Sequence, residues 1–156
     1  FISSSREKPF IVLQLPNMSA NKFYEYFDHT ADLGIRVCGP TLDKLFVNIA
    51  KAIFETQIDG EVMLKKEIRI EIKSESREDL FIDWCRELLY NFSVHGFIPQ
   101  KYEIRIANLT LKANLSGDIF DARRHKVKLE IKNPTYHNFL LKKTAKHYQA
   151  TIIFDV

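Results

Sequence analysis

Cysteine is nearly absent from this chain of 156 residues, which carries only Cys38 and Cys85. No CxxC pair occurs, and neither thiol has a partner at metal-ligand spacing. They read as two half-buried apolar thiols of a reducing compartment. Long hydrophobic runs are also missing. None approaches the roughly 20 residues that span a bilayer. The run Phe10-Ile11-Val12-Leu13 meets Gln14 and stops at Pro16, without the small-residue cleavage site of a signal peptide. A cytoplasmic protein with no membrane partner is expected. Charge of one sign is scarce: the formal net charge is +3 and evenly spread, too little to indicate nucleic-acid binding by itself. Catalytic signatures are absent as well. There is no GxxxxGK[ST] loop for a nucleotide, no GxGxxG after a strand, no GxSxG elbow and no HExxH pair for zinc. Nothing matches the aromatic signature of an RNA-recognition motif.

What is present is ample apolar material. Hydrophobic residues make up 46% of the chain, including twelve Phe and six Tyr. That is enough for one folded domain with a real core and no staples. The first residues read differently from the rest. Ser3-Ser4-Ser5 leads into a mixed-charge patch and the short apolar run, and Met18 offers an alternative start. The expected organisation is an extension over residues 1–22, of upstream or expression origin, and a domain over 23–156. The alternative for the extension is an added edge strand around Phe10 to Leu13.

Periodicity supplies the elements. Tyr24 to Phe27 and Leu33 to Val37 alternate as strands. Gly39-Pro40 breaks the second, and Thr41 is placed to cap a helix whose stripe is Leu42, Leu45, Phe46, Ile49, Ile53 and Phe54. Asp59-Gly60 is a turn signal. Ile68, Ile70 and Ile72 alternate with charge as a half-exposed strand. Ser76 caps a second helix, with Glu78 and Asp79 at the positive end of its dipole. That helix buries Leu80, Phe81, Trp84, Leu88, Leu89 and Phe92 and ends at Gly96. Strands follow over Tyr102 to Ile106 and Leu109 to Leu115. Gly117-Asp118 reads as a turn. Val127, Leu129 and Ile131 alternate as a further strand, and Phe139 to Leu141 and Ala150 to Phe154 add two more. The expected fold class is α+β: a two-layer sandwich, mostly antiparallel, with two helices on one face.

Chemistry-bearing residues cluster in few places. Asp28-His29-Thr30-Ala31-Asp32 puts two carboxylates, an imidazole and a hydroxyl between two strands. If the stretch is a loop, Asp28 and Asp32 converge; if extended, they share a face. Carboxylate oxygens suit hard divalent cations, whereas Asp and Thr are also ordinary turn residues. Asp155 follows the apolar strand Thr151 to Phe154, and a terminal carboxylate on Val156 would add a second negative charge. Bringing these groups to Asp32 is unfavourable without a cation. Asp121, Arg123, Arg124 and His125 form a basic loop with one acid, read as either a solvated turn or an anion contact. Lys132-Asn133-Pro134 precedes Thr135-Tyr136-His137, read as either strand-edge packing or a polar site. Asp83 beside Trp84 reads as a polar flank of the second helix.

Taken together these segments resemble the archease family. The resemblance rests on Tyr24 to Ile35 with its His-Thr-Ala-Asp core, Gly39-Pro40-Thr41-Leu42, and Asp83-Trp84 to Glu87-Leu88-Leu89. It continues through Asp121 to His125, Lys132 to His137 and the closing Ile153-Phe154-Asp155-Val156. It implies a non-catalytic accessory factor of an RtcB-type RNA ligase in tRNA splicing. Such a factor promotes guanylylation of the ligase and its multiple turnover, and meets tRNA and GTP only through the ligase. It also implies a divalent cation (Ca, Mg or Mn) on Asp32, Asp155 and Val156. Asp28, His29, Arg123, His125, Lys132 and His137 are then candidates for partner or phosphate contact. One departure stands out: the family's Val-Lys-Ala is here followed through as Ile131-Lys132-Asn133-Pro134, where proline removes an amide donor and bends or edges the strand.

Two other readings compete. One is an RNA-binding or chaperone-like module, drawing on the pI near 8.8 and the basic stretch Arg123 to Lys128. The other is a metal-dependent phosphoester hydrolase using Asp28, Asp32 and Asp155. For the extension, deleting residues 1–17 should leave the melting temperature nearly unchanged in a thermal scan. A large fall would tie those residues into the domain.

Overall fold

The computed structural model describes residues 23–29 and 32–156. The expected 1–22 extension, with its alternative strand at Phe10 to Leu13, lies outside the described residues. The chain runs β1 (Tyr24–His29), β2 (Asp32–Gly39), α1 (Leu42–Gln57), β3 (Ile58–Asp59), β4 (Lys66–Lys73) and α2 (Arg77–His95). It continues β5 (Phe97–Ala107), β6 (Thr110–Ile119), β7 (Lys126–Val127), β8 (Asn133–Lys143) and β9 (Tyr148–Asp155).

Both helices start and stop for local reasons. Thr41 is extended and its hydroxyl accepts the Lys44 N–H at 3.1 Å, satisfying a donor that the first turn of α1 leaves open. Ser76 does the same for the Asp79 N–H at 3.0 Å. Gly96 closes α2 in the left-handed region, φ 70°, where its N–H reaches the Asn91 and Phe92 carbonyls. The expected stripes are buried: Leu45, Phe46, Ile49 and Ile53 on α1, Leu80, Phe81, Trp84 and Leu88 on α2. Trp84 joins the helices. Its indole N–H donates to the Phe46 carbonyl at 2.9 Å, and Phe46 meets Phe81 edge to face at 5.1 Å. Asp83 flanks this stripe as expected, accepting from the Ser74 hydroxyl and Arg86.

The fold is α+β, and every strand pairing among the described residues is antiparallel. The strands form a four-stranded sheet in the order β1-β2-β9-β8, a three-stranded sheet β4-β6-β5 and the short pair β3-β7. Alternation assigns their faces. Ile35, Val37, Ile152 and Phe154 of the larger sheet join the helix stripes in one core, with Leu111, Ala113 and Leu115 of the smaller sheet. The last strand, β9, lies inside the larger sheet between β2 and β8. That insertion is what positions the site described below.

Two local readings are overturned. Gly117-Asp118 is not a turn; both residues lie inside β6. Pro99 and Lys101 flank a bulge in β5, which brings the Ile98 carbonyl within 2.0 Å of where a Gly117 Cβ would sit. Glycine is required there by close backbone approach, not by a reversal. The chain reverses earlier, at Asn108 and Leu109, which carry φ of 50° and 62° between β5 and β6. The alternation of Val127, Leu129 and Ile131 likewise does not make a full strand. Only Lys126–Val127 pairs, with β3. Beyond it the amides of Lys128 and Ile131 donate to the main-chain oxygen and the Oε1 of Gln57, at 2.6 and 3.0 Å. A buried glutamine at the end of α1 thus replaces a ladder.

Gly117→Ala should destabilise the domain by roughly 1–3 kcal/mol, the usual range for overpacking a tight core position. A urea unfolding titration against the parent chain measures it.

Candidate functional site

The register of the larger sheet builds the candidate site. β1 and β2 pair as His29↔Asp32 and Asp28↔Leu33, across the Thr30-Ala31 connection. β2 and β9 pair from Leu33↔Phe154 through to Gly39↔Tyr148. One step past Leu33↔Phe154, the next positions on the two strands are Asp32 and Asp155. Directly opposed residues of an antiparallel pair stand about 4.5–5.5 Å apart at Cα and share a face. Leu33 and Phe154 enter the core. Asp32 and Asp155 therefore take the opposite face at the end of the sheet. β8 extends the row, with Asn133 opposite Asp155 and the Lys132 N–H donating to the Asp155 carbonyl at 2.8 Å. Asp155 is exposed, Asp32 half-buried, and Val156 packs partly against the core.

The register thus sets Asp32 and Asp155 one step past the last pair of adjacent strands, links the Lys132 backbone to Asp155, and pairs the His29 backbone with Asp32. Asp28 lies one position earlier on β1. The hairpin register sets its backbone opposite Leu33, one step from the His29↔Asp32 pair. Two carboxylates on adjacent strands repel, by about 1 kcal/mol at 4 Å in water and more where water is thinned. They are hard oxygen donors of the type a divalent cation takes. Among the described residues no group of three or more His, Cys, Asp or Glu side chains could hold a metal ion. Among the described residues the row supplies two carboxylates.

His137 lies exposed in a bulge of β8, where pairing with β9 slips between Thr135 and Leu140 and Asn138 adopts φ 53°. The strand is anchored where it enters the bulge. The Thr135 hydroxyl donates to the Ile153 carbonyl at 2.8 Å, and the Tyr136 hydroxyl donates to Asp79 at 2.6 Å. That carboxylate pushes the Tyr136 phenol up to about 12. Pro134 is buried opposite Phe154 on β8, an edge strand of its sheet, where the missing amide costs no inner ladder bond.

Arg123 and His125 belong to a separate network on the turn after β6. Its centre is Asp118, which sequence reasoning placed in a turn. The Asp118 carboxylate is 1% exposed and accepts from Arg124 through two nitrogens, at 2.8 and 3.3 Å. It also accepts the Met63 and Ile119 amides at 3.0 and 2.8 Å. The Arg124 guanidinium, ahead of these amides, holds it well below the usual carboxylate range. The His125 ring is buried. Its Nδ1 accepts the Asp121 N–H at 3.0 Å, which puts the ring proton on Nε2, 2.8 Å from the Glu61 carbonyl. As placed, this imidazole staples the turn to the loop after β3, and a phosphate contact through it requires the turn to open. Arg123 is exposed and clamps Asp121 at 3.2 Å, holding that carboxyl at about 2. No spacing rule marks Asp118 as the centre of this network, because its partners arrive from two other loops.

Asp118→Asn should cost roughly 2–3 kcal/mol at neutral pH, the lower side of breaking a buried pair because Arg124 stays 31% exposed. The folded pKa is depressed, so this stabilisation is complete above the ordinary carboxylate value of about 4 and fades as pH falls below it. Urea titrations across that range should show the parent's advantage over the variant shrinking with acidity.

Comparison with known proteins agrees with this architecture. A family model described as the archease protein family matches residues 24–156. The archease of Sulfurisphaera tokodaii is 32% identical over 136 residues, covering 85% of this chain and 98% of that protein. The archease of Methanosarcina acetivorans is 36% identical over 144 residues, covering 88% and 99%. The solution structure of Methanobacterium thermoautotrophicum protein 1598 superposes with a TM-score of 0.73 at 30% identity, covering 86% of this chain and 99% of that one. A Thermotoga maritima crystal structure described as an archease, possible chaperone, shares the fold with a TM-score of 0.60 at 22% identity, covering 83% and 94%. The chain belongs to the archease family.

Proposed function

We propose that this chain is a non-catalytic accessory factor that activates an RtcB-type tRNA-splicing RNA ligase, promoting its guanylylation and multiple turnover. The observation that carries the reading is the juxtaposition of Asp32 and Asp155 on adjacent strands, at an exposed end of the sheet, in an archease-family chain. Asp32, Asp155 and a main-chain oxygen of Val156 are the groups that would hold a divalent cation (Ca, Mg or Mn). A cation there would neutralise phosphate charge within the ligase site. This chain's own residues do the positioning. The rigid ladder presents both carboxylates on one face, and the exposed Lys132, one residue from the Asn133↔Asp155 pair, is placed to meet a phosphate oxygen. A cation held at this exposed end of the sheet could take further oxygens from water or from the ligase. That couples cation binding to docking. His137 on the β8 bulge and the 28–29 end of β1 are the adjoining positions for partner contact. tRNA and GTP are met through the ligase, and a cytoplasmic location goes with this role. Among the described residues no helix is long and apolar enough to cross a membrane.

A second reading, an RNA-binding or chaperone-like module, draws on the exposed basic residues Arg123, Lys126, Lys128 and Lys132. It requires RNA binding by the isolated protein that weakens steeply with salt.

The test is guanylylation of a cognate ligase with and without equimolar protein. Stimulation is expected, and its absence with folded protein sinks the proposal. Asp32→Ala and Asp155→Ala should each abolish stimulation and weaken calorimetric cation binding by about tenfold or more, while the melting temperature holds. Full activity in both variants would remove the acidic row from the mechanism.

A further inference from the structure

A second concavity lies away from the acidic row. It is a cleft of about 580 Å³ between the C-terminal half of α1, the loop after β3 and the start of β5. Its apolar lining residues are Phe54, Ile58, Val62, Ile98 and Pro99, of which only Val62 is more than marginally exposed, and polar surface exceeds apolar surface in the cleft. Two aromatic rings, Phe23 and Tyr102, and the Gln100 amide add to the lining. The charged groups are few and mostly of one sign. Glu55 and Glu61 bring carboxylates and Lys51 one ammonium, a formal balance of −1. Lys128, whose ammonium donates to the Glu55 carbonyl at 2.7 Å, does not line the cleft.

Three details indicate what such a cleft takes. The Glu55 carboxylate is oriented by the Tyr24 hydroxyl, which donates to its Oε1 at 2.5 Å, while no described residue hydrogen-bonds its Oε2. The Tyr102 side chain is half-buried in the wall, and no described residue hydrogen-bonds its hydroxyl. Burial, then the Glu55 charge, raises that phenol far above its usual value, so it stays neutral and able to accept from a cation. The Phe23 ring already carries the Lys51 ammonium 5.9 Å from its centroid, so the cleft's aromatic lining stabilises positive charge.

We infer that this cleft binds an alkylammonium ligand of the aliphatic di- or polyamine class. The ammonium sits between Glu55, Glu61 and the Tyr102 hydroxyl, and its methylene stem lies on the apolar wall. An anion is disfavoured by the two carboxylates. A bare metal ion is disfavoured because, among the described residues, no group of three or more His, Cys, Asp or Glu side chains gathers to hold one. A neutral apolar ligand would leave the Glu55 carboxylate and the Tyr102 hydroxyl desolvated without a partner.

Isothermal titration of the full chain with 1,5-diaminopentane, at ionic strength matched with KCl, tests this. Saturable one-to-one binding with Kd on the order of 1 mM or tighter is expected. 1-Pentanol and magnesium chloride should give none at this site. Glu55→Gln and Tyr102→Phe should each weaken binding by about tenfold, and Lys51→Met should tighten it several-fold by removing the competing ammonium. The Lys51→Met arm serves if either other variant fails to fold, since a packing role predicts no tightening. Absence of saturable heat overturns the inference. So does equal displacement by magnesium, or unchanged affinity in all three variants. Asp32→Ala should bind the diamine like the parent, so failure here leaves the ligase reading standing.

Discussion

The antiparallel ladder from Leu33↔Phe154 to Gly39↔Tyr148 is the constraint on which the rest of the molecule depends. It joins strands from opposite ends of the domain, so it closes the chain at a cost in loop entropy that only burial can offset. The offset is visible in Ile35 and Ile152, paired across this ladder and both fully buried. Because side chains alternate along each strand, the register that sends Leu33 and Phe154 inward sends Asp32 and Asp155 to the other face. A slip of one residue would bury a carboxylate and expose an aromatic ring. Core and candidate site are therefore specified by one and the same pairing.

Where the sheets do not reach, buried polar groups take over. Gln57 ends α1 and captures the amides of Lys128 and Ile131, leaving its Nε2 the buried side-chain nitrogen with no hydrogen-bond partner among the described residues. Asp118 gathers Arg124, Met63 and Ile119, while His125 ties the same turn to Glu61. Directional bonds of this kind set the path of an irregular chain more sharply than apolar packing does. They deliver residues 128–132 to the edge of the larger sheet, and so Lys132 to Asp155.

The two concave or exposed features differ in chemistry. The row at the end of the sheet is exposed at Asp155 and acidic, which suits a site that meets a partner. The cleft beside α1 combines apolar residues with two carboxylates, one of them oriented by Tyr24, which suits a small cation with an apolar stem. Neither surface borrows residues from the other, so each can be altered alone.

Much of the frame was legible in the residues because its causes are local. Thr41, Ser76 and Gly96 act within one turn of a helix, and the 3.6-residue and two-residue periods mark the faces that are buried. The sequence by itself determined both helices, the α+β class and Asp32 and Asp155 as carboxylates of interest. Gly117-Asp118 misled because a glycine demanded by a carbonyl across the sheet looks, in sequence, like a glycine demanded by a turn. Residues 127–131 misled because alternation reports burial, and burial was achieved there without a partner strand. Only the tertiary structure decided that β9 enters between β2 and β8, which acids share a face, and where the cleft opens. Those outcomes depend on contacts between segments far apart in the chain, and no local pattern of side chains carries the identity of a distant partner.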